Sequence, residues 1–257
     1  MGARWFLLSV VVIVAAASPI VSIQAKPAAS YQEFQALFEW REFKPLFFSP
    51  ETETKTAPIG GDALSFLPAD WQAEVKLYAN SPYQPITAFH FSKDLDAYVI
   101  LGPSELNGRK VHLLIMNSRG SLIAKEVLAS LAGDEGFYRI QFGWLRDLNG
   151  DNQPDIVVRV HKTTEAGDGA KEFAGNIISA KTWNGRGFAS YTPASVGKLI
   201  RETDEDTGSY WLERYRQWDS DPRMKDGAVR AYRQWLSAFP NHSRVAEAKA
   251  RVVELKK

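Results

Sequence analysis

The sequence predicts an α+β fold, in which a mainly antiparallel β-sheet of meandering hairpins precedes a C-terminal α-helical hairpin. Between residues 66 and 191, short segments rich in β-branched and aromatic residues alternate with tight turns, which is typical of antiparallel strands. After residue 199 the apolar residues recur at helical spacing. The chain has 257 residues, 45% hydrophobic and 24% charged, which are ordinary globular values. This length suits one sizeable domain or two small ones.

Residues 1–25 are typical of a secretory signal peptide. Arg4 gives a positive start, the apolar run Trp5–Ala17 is followed by Pro19, and Ala25 ends the segment with a small residue. The run is shorter than the roughly twenty residues that span a bilayer, so we expect cleavage and no integral membrane protein afterwards. An uncleaved N-terminal anchor is the alternative. We therefore expect a periplasmic or extracellular protein, and the absence of cysteine favours a bacterial periplasm.

Residues 26–62 are predicted to form an N-terminal helix and a linker. Aromatic residues recur at roughly helical spacing after Ser30, so we expect a helix over Tyr31–Phe43. Its aromatic face is expected to pack on the main domain, with membrane contact as the alternative. The polar stretch Ser49–Asp62 is expected to be a linker.

Residues 63–198 are predicted to form the β domain. Asn107-Gly108, Asn117–Gly120 and Asn184-Gly185 predict the turns of successive hairpins, and Thr164–Lys171 predicts a hairpin tip. The predicted strands are 75–78, 86–91, 97–101, 111–116, 122–127, 138–144, 156–160, 177–183 and 188–191.

The loop from residue 147 to residue 155 carries the main chemical signal of the chain. Its Asp and Asn residues occupy positions one, three, five and nine, where calcium loops present oxygen ligands, and position seven contributes a backbone carbonyl. Gly150 and Asn152 tolerate the positive φ that such a coil requires. The alternative is a turn in which the Asp and Asn side chains bond their own backbone without an ion. The predicted calcium ligands are Asp147, Asn149, Asp151, the carbonyl of Gln153, and Asp155.

This loop is not an EF-hand, because Asn152 and Val158 stand where an EF-hand has Gly and Glu. The segment Trp144–Val158 resembles instead the calcium loop of FG-GAP and VCBS repeats, found in integrin alpha chains and many secreted bacterial proteins. In that family the loop joins two strands, and its Asp and Asn side chains hold calcium. The segment Thr182–Phe188 resembles the hairpin that closes such domains. Since the β region is too short for a full propeller, we expect a small sandwich, a partial barrel or a stack of blade-like sheets.

Residues 199–257 are predicted to be helical, with helices over Ser209–Trp218, Lys225–Phe239 and Ser243–Lys256. The last two resemble a tetratricopeptide-type helical hairpin of bacterial envelope assembly proteins, with aromatic residues in the first helix, Phe239-Pro240 between them, and an Ala-rich second helix. One such hairpin is below the roughly three repeats that a solenoid needs. It is therefore expected to pack on the β domain, on the preceding helix or on a partner.

Charge in the C-terminal part leaves alternatives open. The spacing Asp204-x-Asp206-x-Gly208 could form a second ion site, but a solvated loop and helix start is favoured. From Arg223 onward Lys and Arg outnumber acids; this basic face could meet an acidic partner, lipid or nucleic acid, with a solvated helix surface as the favoured alternative. The net charge of +1 selects neither membrane nor nucleic acid, and we expect no nucleic-acid partner.

Little in the sequence indicates catalysis. The four histidines are scattered, cysteine is absent, and no phosphate-binding or nucleophile motif occurs. Whether the protein is an enzyme is left open, with a non-enzyme favoured. We predict an exported cell-envelope binding or scaffolding protein with a structural calcium ion, which docks a protein partner through its C-terminal helices. The alternative is a hydrolase of an envelope polymer that uses some of Asp147, Asp151 and Asp155.

Overall fold

The computed structural model describes residues 28–77, 81–103, 109–134, 137–165 and 171–256, so the predicted signal peptide lies outside the described residues. A nine-stranded antiparallel sheet followed by helices confirms the predicted α+β class. The helices are α1 (Ala28–Ala36), α2 (Ala69–Leu77), α3 (Val196–Asp219), α4 (Lys225–Ala238) and α5 (Val245–Leu255), with short 3-10 helices at Gly61–Phe66 and Pro222–Met224. The strands are β1 (Leu46–Phe48), β2 (Gln84–Ser92), β3 (Leu95–Pro103), β4 (Arg109–Asn117), β5 (Leu122–Asp134), β6 (Phe137–Arg146), β7 (Asp155–Glu165), β8 (Lys171–Trp183) and β9 (Phe188–Tyr191).

The sheet is a meander in chain order from β2 to β9, and β5 divides it into two halves. Leu122–Ser130 of β5 pair with β4, whereas Ser130–Asp134 pair with β6. Farther along β6, Gly143–Leu145 pair with β1 instead. We call β2–β4 with the start of β5 the first half-sheet, and the end of β5 with β6–β9 the second half-sheet.

A bulge at Leu128 lets β5 pass from one half-sheet to the other. The β4–β5 register shifts there, since neighbouring residues of β4 face Val127 and Ala129. The Gln141 side chain donates to the carbonyls of Val127, at 2.7 Å, and Leu128, at 3.3 Å. Gly143 lies so close to this bulge that a Cβ there would overlap the Leu128 carbonyl.

Three hydrophobic clusters arrange the molecule as helix, sheet, sheet and helix layers. The two half-sheets face each other across residues such as Val99, Leu113 and Ile156. The outer face of the first half-sheet packs against α1, the first 3-10 helix and α2. The outer face of the second half-sheet packs against α3, α4 and α5, with Trp144 and Trp211 in the shared cluster. The predicted helical hairpin thus packs on the β domain and on the preceding helix.

The first helix differs from the prediction at its C-terminal end. The first helix ends at Ala36 rather than Phe43, because the chain then pairs with β2: the Arg41 N–H donates to Ala88 O at 2.9 Å. Its aromatic face does pack on the main domain, as predicted, through the buried Tyr31 and Phe34.

The predicted strand at residues 75–78 is wrong over its described part, because residues 75–77 belong to α2. Trp71 and Val75, one helical turn apart, both pack in the cluster beneath α1, and this tertiary contact overrides the alternating pattern. The stretch Ser49–Asp62 is bonded along β2, since the hydroxyls of Thr54 and Thr56 both donate to Pro85 O.

The first C-terminal helix begins earlier than predicted, whereas α4 begins at the predicted Lys225 and α5 begins two residues later than predicted, at Val245. Helix α3 starts at Val196, where the Ser195 hydroxyl accepts from the Lys198 N–H at 3.1 Å, and it includes the acidic stretch that was expected to be a loop. The turn at Asn117–Gly120 is confirmed, with Gly120 at a φ of 77°. The predicted turn at Asn107-Gly108 and residues 166–170 of the predicted hairpin tip lie outside the described residues. Within the described ranges, no helix has both the length and the apolar character needed to cross a membrane.

Candidate functional site

The loop between β6 and β7 is a tight coil held by its own side chains. The two carboxylate oxygens of Asp147 accept from the N–H groups of Gly150, at 2.6 Å, and Asn152, at 3.0 Å. Gly150 and Asn152 have φ values of 82° and 60°, as the sequence predicts for such a coil. Asn149 Oδ1 accepts from the Asp151 N–H at 3.0 Å, so each polar side chain organises the backbone ahead of it.

Asp155 closes this coil from the buried side. Its side chain is fully buried, and its Oδ2 accepts from the Leu148 N–H at 2.8 Å. Its Oδ1 has no hydrogen-bond partner among the described residues, although the Trp183 N–H lies near enough to stabilise the carboxylate. Burial raises the pKa of Asp155, and the negative charges of Asp151 and Asp147 raise it further against the opposing N–H groups.

The predicted calcium ligands are therefore neighbours in one loop, and they differ in burial. Asp147, Asn149 and Asp151 are exposed and bond the loop backbone, whereas Asp155 is buried. Gln153 is half-buried, and its side-chain oxygen has no partner among the described residues. In the part of the chain that the structure describes, no three acidic or histidine side chains form a metal-holding cluster. Calcium binding at this loop stays a prediction.

The Asp204-x-Asp206-x-Gly208 spacing, for which an ion site was the less favoured interpretation, makes protein contacts instead. Asp204 forms an ion pair with the buried Arg159 at 2.8 Å, and Asp206 accepts from the indole N–H of Trp144 at 2.7 Å. Both carboxylates lie on α3 and attach it to the second half-sheet. The sequence spacing alone could not show this, because the partners come from strands far away in the chain.

The basic C-terminal face is partly neutralised within the helices. Arg244 pairs with Glu213 at 2.7 Å, and Arg251 pairs with Asp219 at 2.7 Å. Acidic residues of α3 thus form ion pairs with basic residues of α5 and of the turn before it. The remaining exposed face of α5 carries small, apolar and basic residues. We call it the α5 face, and it consists of Ala246, Lys249, Ala250 and Val253.

A cleft between the half-sheets is a feature that the sequence reasoning did not find. It has a volume of about 520 Å³, and we call it the central cleft. Its floor is the inner face of the second half-sheet, including Gln141, Val158 and Val160, and β5 forms a wall with Val127. Strand β5 pairs with β6 only over Ser130–Asp134. The half-sheets therefore separate beside β5 and leave the inner face of the second half-sheet uncovered there.

Charged side chains surround the central cleft. Lys110, Lys125, Arg139 and Lys181 contribute positive charge, and Glu74 and Glu126 contribute negative charge. Glu126 pairs with Lys181 at 2.7 Å. Glu74 accepts from the Tyr83 hydroxyl at 2.6 Å, while Lys125 pairs with the exposed Asp70 outside the lining at 2.7 Å. The lining therefore holds an excess of cations.

His112 lies in the wall of the central cleft and is 5% exposed. Its ring lies 4.1 Å from the Trp71 ring, and neither ring nitrogen has a hydrogen-bond partner among the described residues. Burial, with the charges of Lys110 and Lys125, lowers the pKa of His112 to about 3. The imidazole is therefore neutral at physiological pH and offers one donor and one acceptor nitrogen. In the sequence, His112 belongs only to a strand pattern, which does not indicate that its ring lines a cleft.

Comparison with protein-family models, with curated proteins and with solved structures found no match to this chain.

Proposed function

We propose that the protein is an exported binding protein of the cell envelope, in which calcium at Asp147–Asp155 stabilises the junction of β6 and β7. The observation that carries the calcium proposal is Asp155, which is fully buried beneath a loop rich in carboxylates and whose Oδ1 accepts no hydrogen bond from the described part of the chain. Burying an ionised carboxylate with one oxygen outside any hydrogen bond is costly, and a divalent cation at that oxygen would reduce the cost.

The coil supports this proposal in a second way. Asp147 and Asp151 are exposed on the same loop, and the backbone already turns through the positive φ angles of Gly150 and Asn152. The loop would offer hard oxygen ligands without first having to order its chain. Such open loops suit the weak affinities, about 10⁻⁴ to 10⁻³ M, of calcium sites outside the cell.

Calcium binding is tested by thermal unfolding of the purified protein with and without millimolar calcium. Saturating calcium should raise the melting temperature by roughly 4–8 °C, which corresponds to about 2 kcal/mol for a protein of this size. Asp151→Ala should abolish that gain. The matched control is Asp94→Ala, an exposed aspartate in the turn between β2 and β3, which should keep it. Calcium that neither shifts the melting temperature nor gives heat in calorimetry would refute the site.

The partner-binding part of the proposal is placed on the α5 face. Helices α4 and α5 bury one side against α3 and the second half-sheet, while Val253 on α5 is 60% exposed. An exposed apolar residue one helical turn from the exposed Lys249 on a packed helix suits a protein partner that carries apolar and acidic groups.

This role is tested with Ala250→Glu/Val253→Glu, since removing the whole helical segment would uncover the core of the second half-sheet. The double variant should lose proteins that the unaltered chain captures from an envelope extract. Gln32→Glu/Leu122→Glu adds the same charge at exposed positions away from the C-terminal helices and should retain them. If both variants capture the same proteins from the extract, the α5 face is excluded as the docking surface.

The hydrolase alternative finds no specific support in the loop. Its exposed carboxylates bond the local backbone, and Asp155 is buried behind them.

A further inference from the structure

We propose that the central cleft binds an amphipathic anion, a molecule with one carboxylate or phosphate head and an apolar body. This site is separate from the calcium loop and from the α5 face. The proposal therefore stands or falls independently of both.

The floor of the cleft supplies the apolar contact. Alternate residues of a strand share one face, so Val158 and Val160 continue the inner face that Ile156 begins in the core between the half-sheets. Across the β7–β8 ladder, Ile177 pairs with Val160 and is 51% exposed at the edge of this floor. An apolar body lying there would cover an isoleucine that the chain itself leaves open.

The rim of the cleft supplies the charge. Lys110 and Lys125 stand on the wall of the first half-sheet, and Arg139 and Lys181 stand on the second. Cations on both sides of a concave surface reinforce one another's potential, and this favours an anionic head over a neutral or cationic one. The four cations still outnumber the acids when Asp70, which pairs with Lys125 from outside the lining, is counted with Glu74 and Glu126.

The wall adds a neutral polar group beside this charge. His112 has both ring nitrogens without partners among the described residues, and it lines the cleft beneath Lys110 and Lys125. A buried imidazole in this state can donate one hydrogen bond to an anionic oxygen. The cleft volume of about 520 Å³ lies within the range of about 300–1,000 Å³ that small-molecule sites occupy.

The test is isothermal calorimetry of the purified protein with four eight-carbon probes. Octanoate and octyl phosphate have the proposed chemistry, whereas octan-1-ol lacks the charge and octyltrimethylammonium reverses it. We expect the two anions to bind and the other two to bind at least about tenfold more weakly. The stronger of the two anions identifies the head group as carboxylate or phosphate.

Two variants locate the binding. Lys110→Gln/Lys181→Gln should reduce affinity for the anions by about tenfold, as the loss of two partly exposed charges implies. Lys93→Gln/Lys225→Gln removes the same charge from exposed positions elsewhere and should leave affinity unchanged. Ile177→Glu, at a half-exposed position that should not affect folding, should also weaken binding.

The proposal is overturned if neither anion binds at millimolar concentration, or if octan-1-ol or octyltrimethylammonium binds as tightly as they do. It is also overturned if both the Lys110→Gln/Lys181→Gln variant and Ile177→Glu bind the anions as the unaltered chain does.

Discussion

Arg159 shows how single polar residues attach the helical layer to the sheet. It is 2% exposed, and its guanidinium donates to Asn176 on β8 and to Asp204, Thr203 and Thr207 on α3. Burial lowers the pKa of Arg159, while the Asp204 carboxylate opposes this shift. A buried cation is tolerated here because its donors meet fixed acceptors on the helix that packs above it.

His161 and Trp211 form a second polar connection between the same layers. The Trp211 indole N–H donates to His161 Nδ1 at 2.8 Å, so this nitrogen of the buried ring acts as an acceptor. Burial and the nearby Arg159 hold the pKa of His161 well below its usual value. The imidazole therefore remains neutral, and the contact between β7 and α3 should not depend on pH near neutrality.

The buried Asp155 carboxyl group should make the stability of the folded chain depend on pH. Its pKa is raised above 3.8 in the folded chain, so the native state holds a proton that the unfolded state loses. The stabilisation from this bound proton is fully present below the pKa of Asp155 in the unfolded chain. It is lost as pH rises through the pKa of Asp155 in the folded chain. Without calcium, the stability of the unaltered chain relative to Asp155→Asn should fall as pH rises from 4 to neutrality.

Chemical denaturation at a series of pH values measures this difference, with Asp94→Asn, the same change at an exposed turn residue, as the matched control. A stability difference that stays constant between pH 4 and pH 7 would mean that Asp155 ionises freely. Adding calcium at neutral pH should favour the unaltered chain, because the ion would stabilise the charged carboxylate.

At the scale of elements, β5 depends on a glycine in the neighbouring strand. Gly143→Ala places a methyl group against the Leu128 carbonyl, and backbone on both sides leaves little room to adjust. We expect a loss of about 3 kcal/mol, the upper range for overpacking. Gly187→Ala is the matched control, because its Cβ would meet nothing within 4 Å and should cost far less. Equal unfolding midpoints in denaturant for the two variants would contradict this account of the bulge.

Most strands were predictable because local signals determine them. Asn117–Gly120 and Asn184-Gly185 have the turn chemistry of hairpins, and strands follow on each side of both turns. The Gly150 and Asn152 conformations were predictable for the same reason. The α2 helix was not, since its short sequence alternates and only burial of Trp71 and Val75 in the cluster on the outer face of the first half-sheet favours the helix.

The candidate sites were predictable only in part. The calcium loop lies within nine consecutive positions, so its spacing can be read directly, but whether Asp155 is buried depends on the strands around it. The central cleft joins His112, Gln141 and Ile177, which are far apart in sequence. Such residues meet only because β5 changes partners at its bulge, and no local pattern encodes that change.

For the whole molecule, the four layers predict that the sheet cannot fold without the C-terminal helices. Phe142, Trp144 and Val157 of the second half-sheet are buried beneath α3–α5. Each contributes about 1.5–3 kcal/mol through burial, and together they approach the total stability of about 5–15 kcal/mol. A chain that ends at Pro193 should therefore give no cooperative thermal transition by circular dichroism. A native-like spectrum with a cooperative melt would show instead that residues 63–193 are an independent domain.

The pairing of β1 with β6 has a consequence for the order of folding. Phe48 meets Gly143, so this contact must close a loop of almost a hundred residues, whereas the meander from β2 to β9 forms between neighbours in sequence. Closing long loops costs more chain entropy and is slow. The N-terminal segment is therefore expected to dock last, onto a meander that is already assembled, and to complete the edge of β6 that β5 leaves vacant.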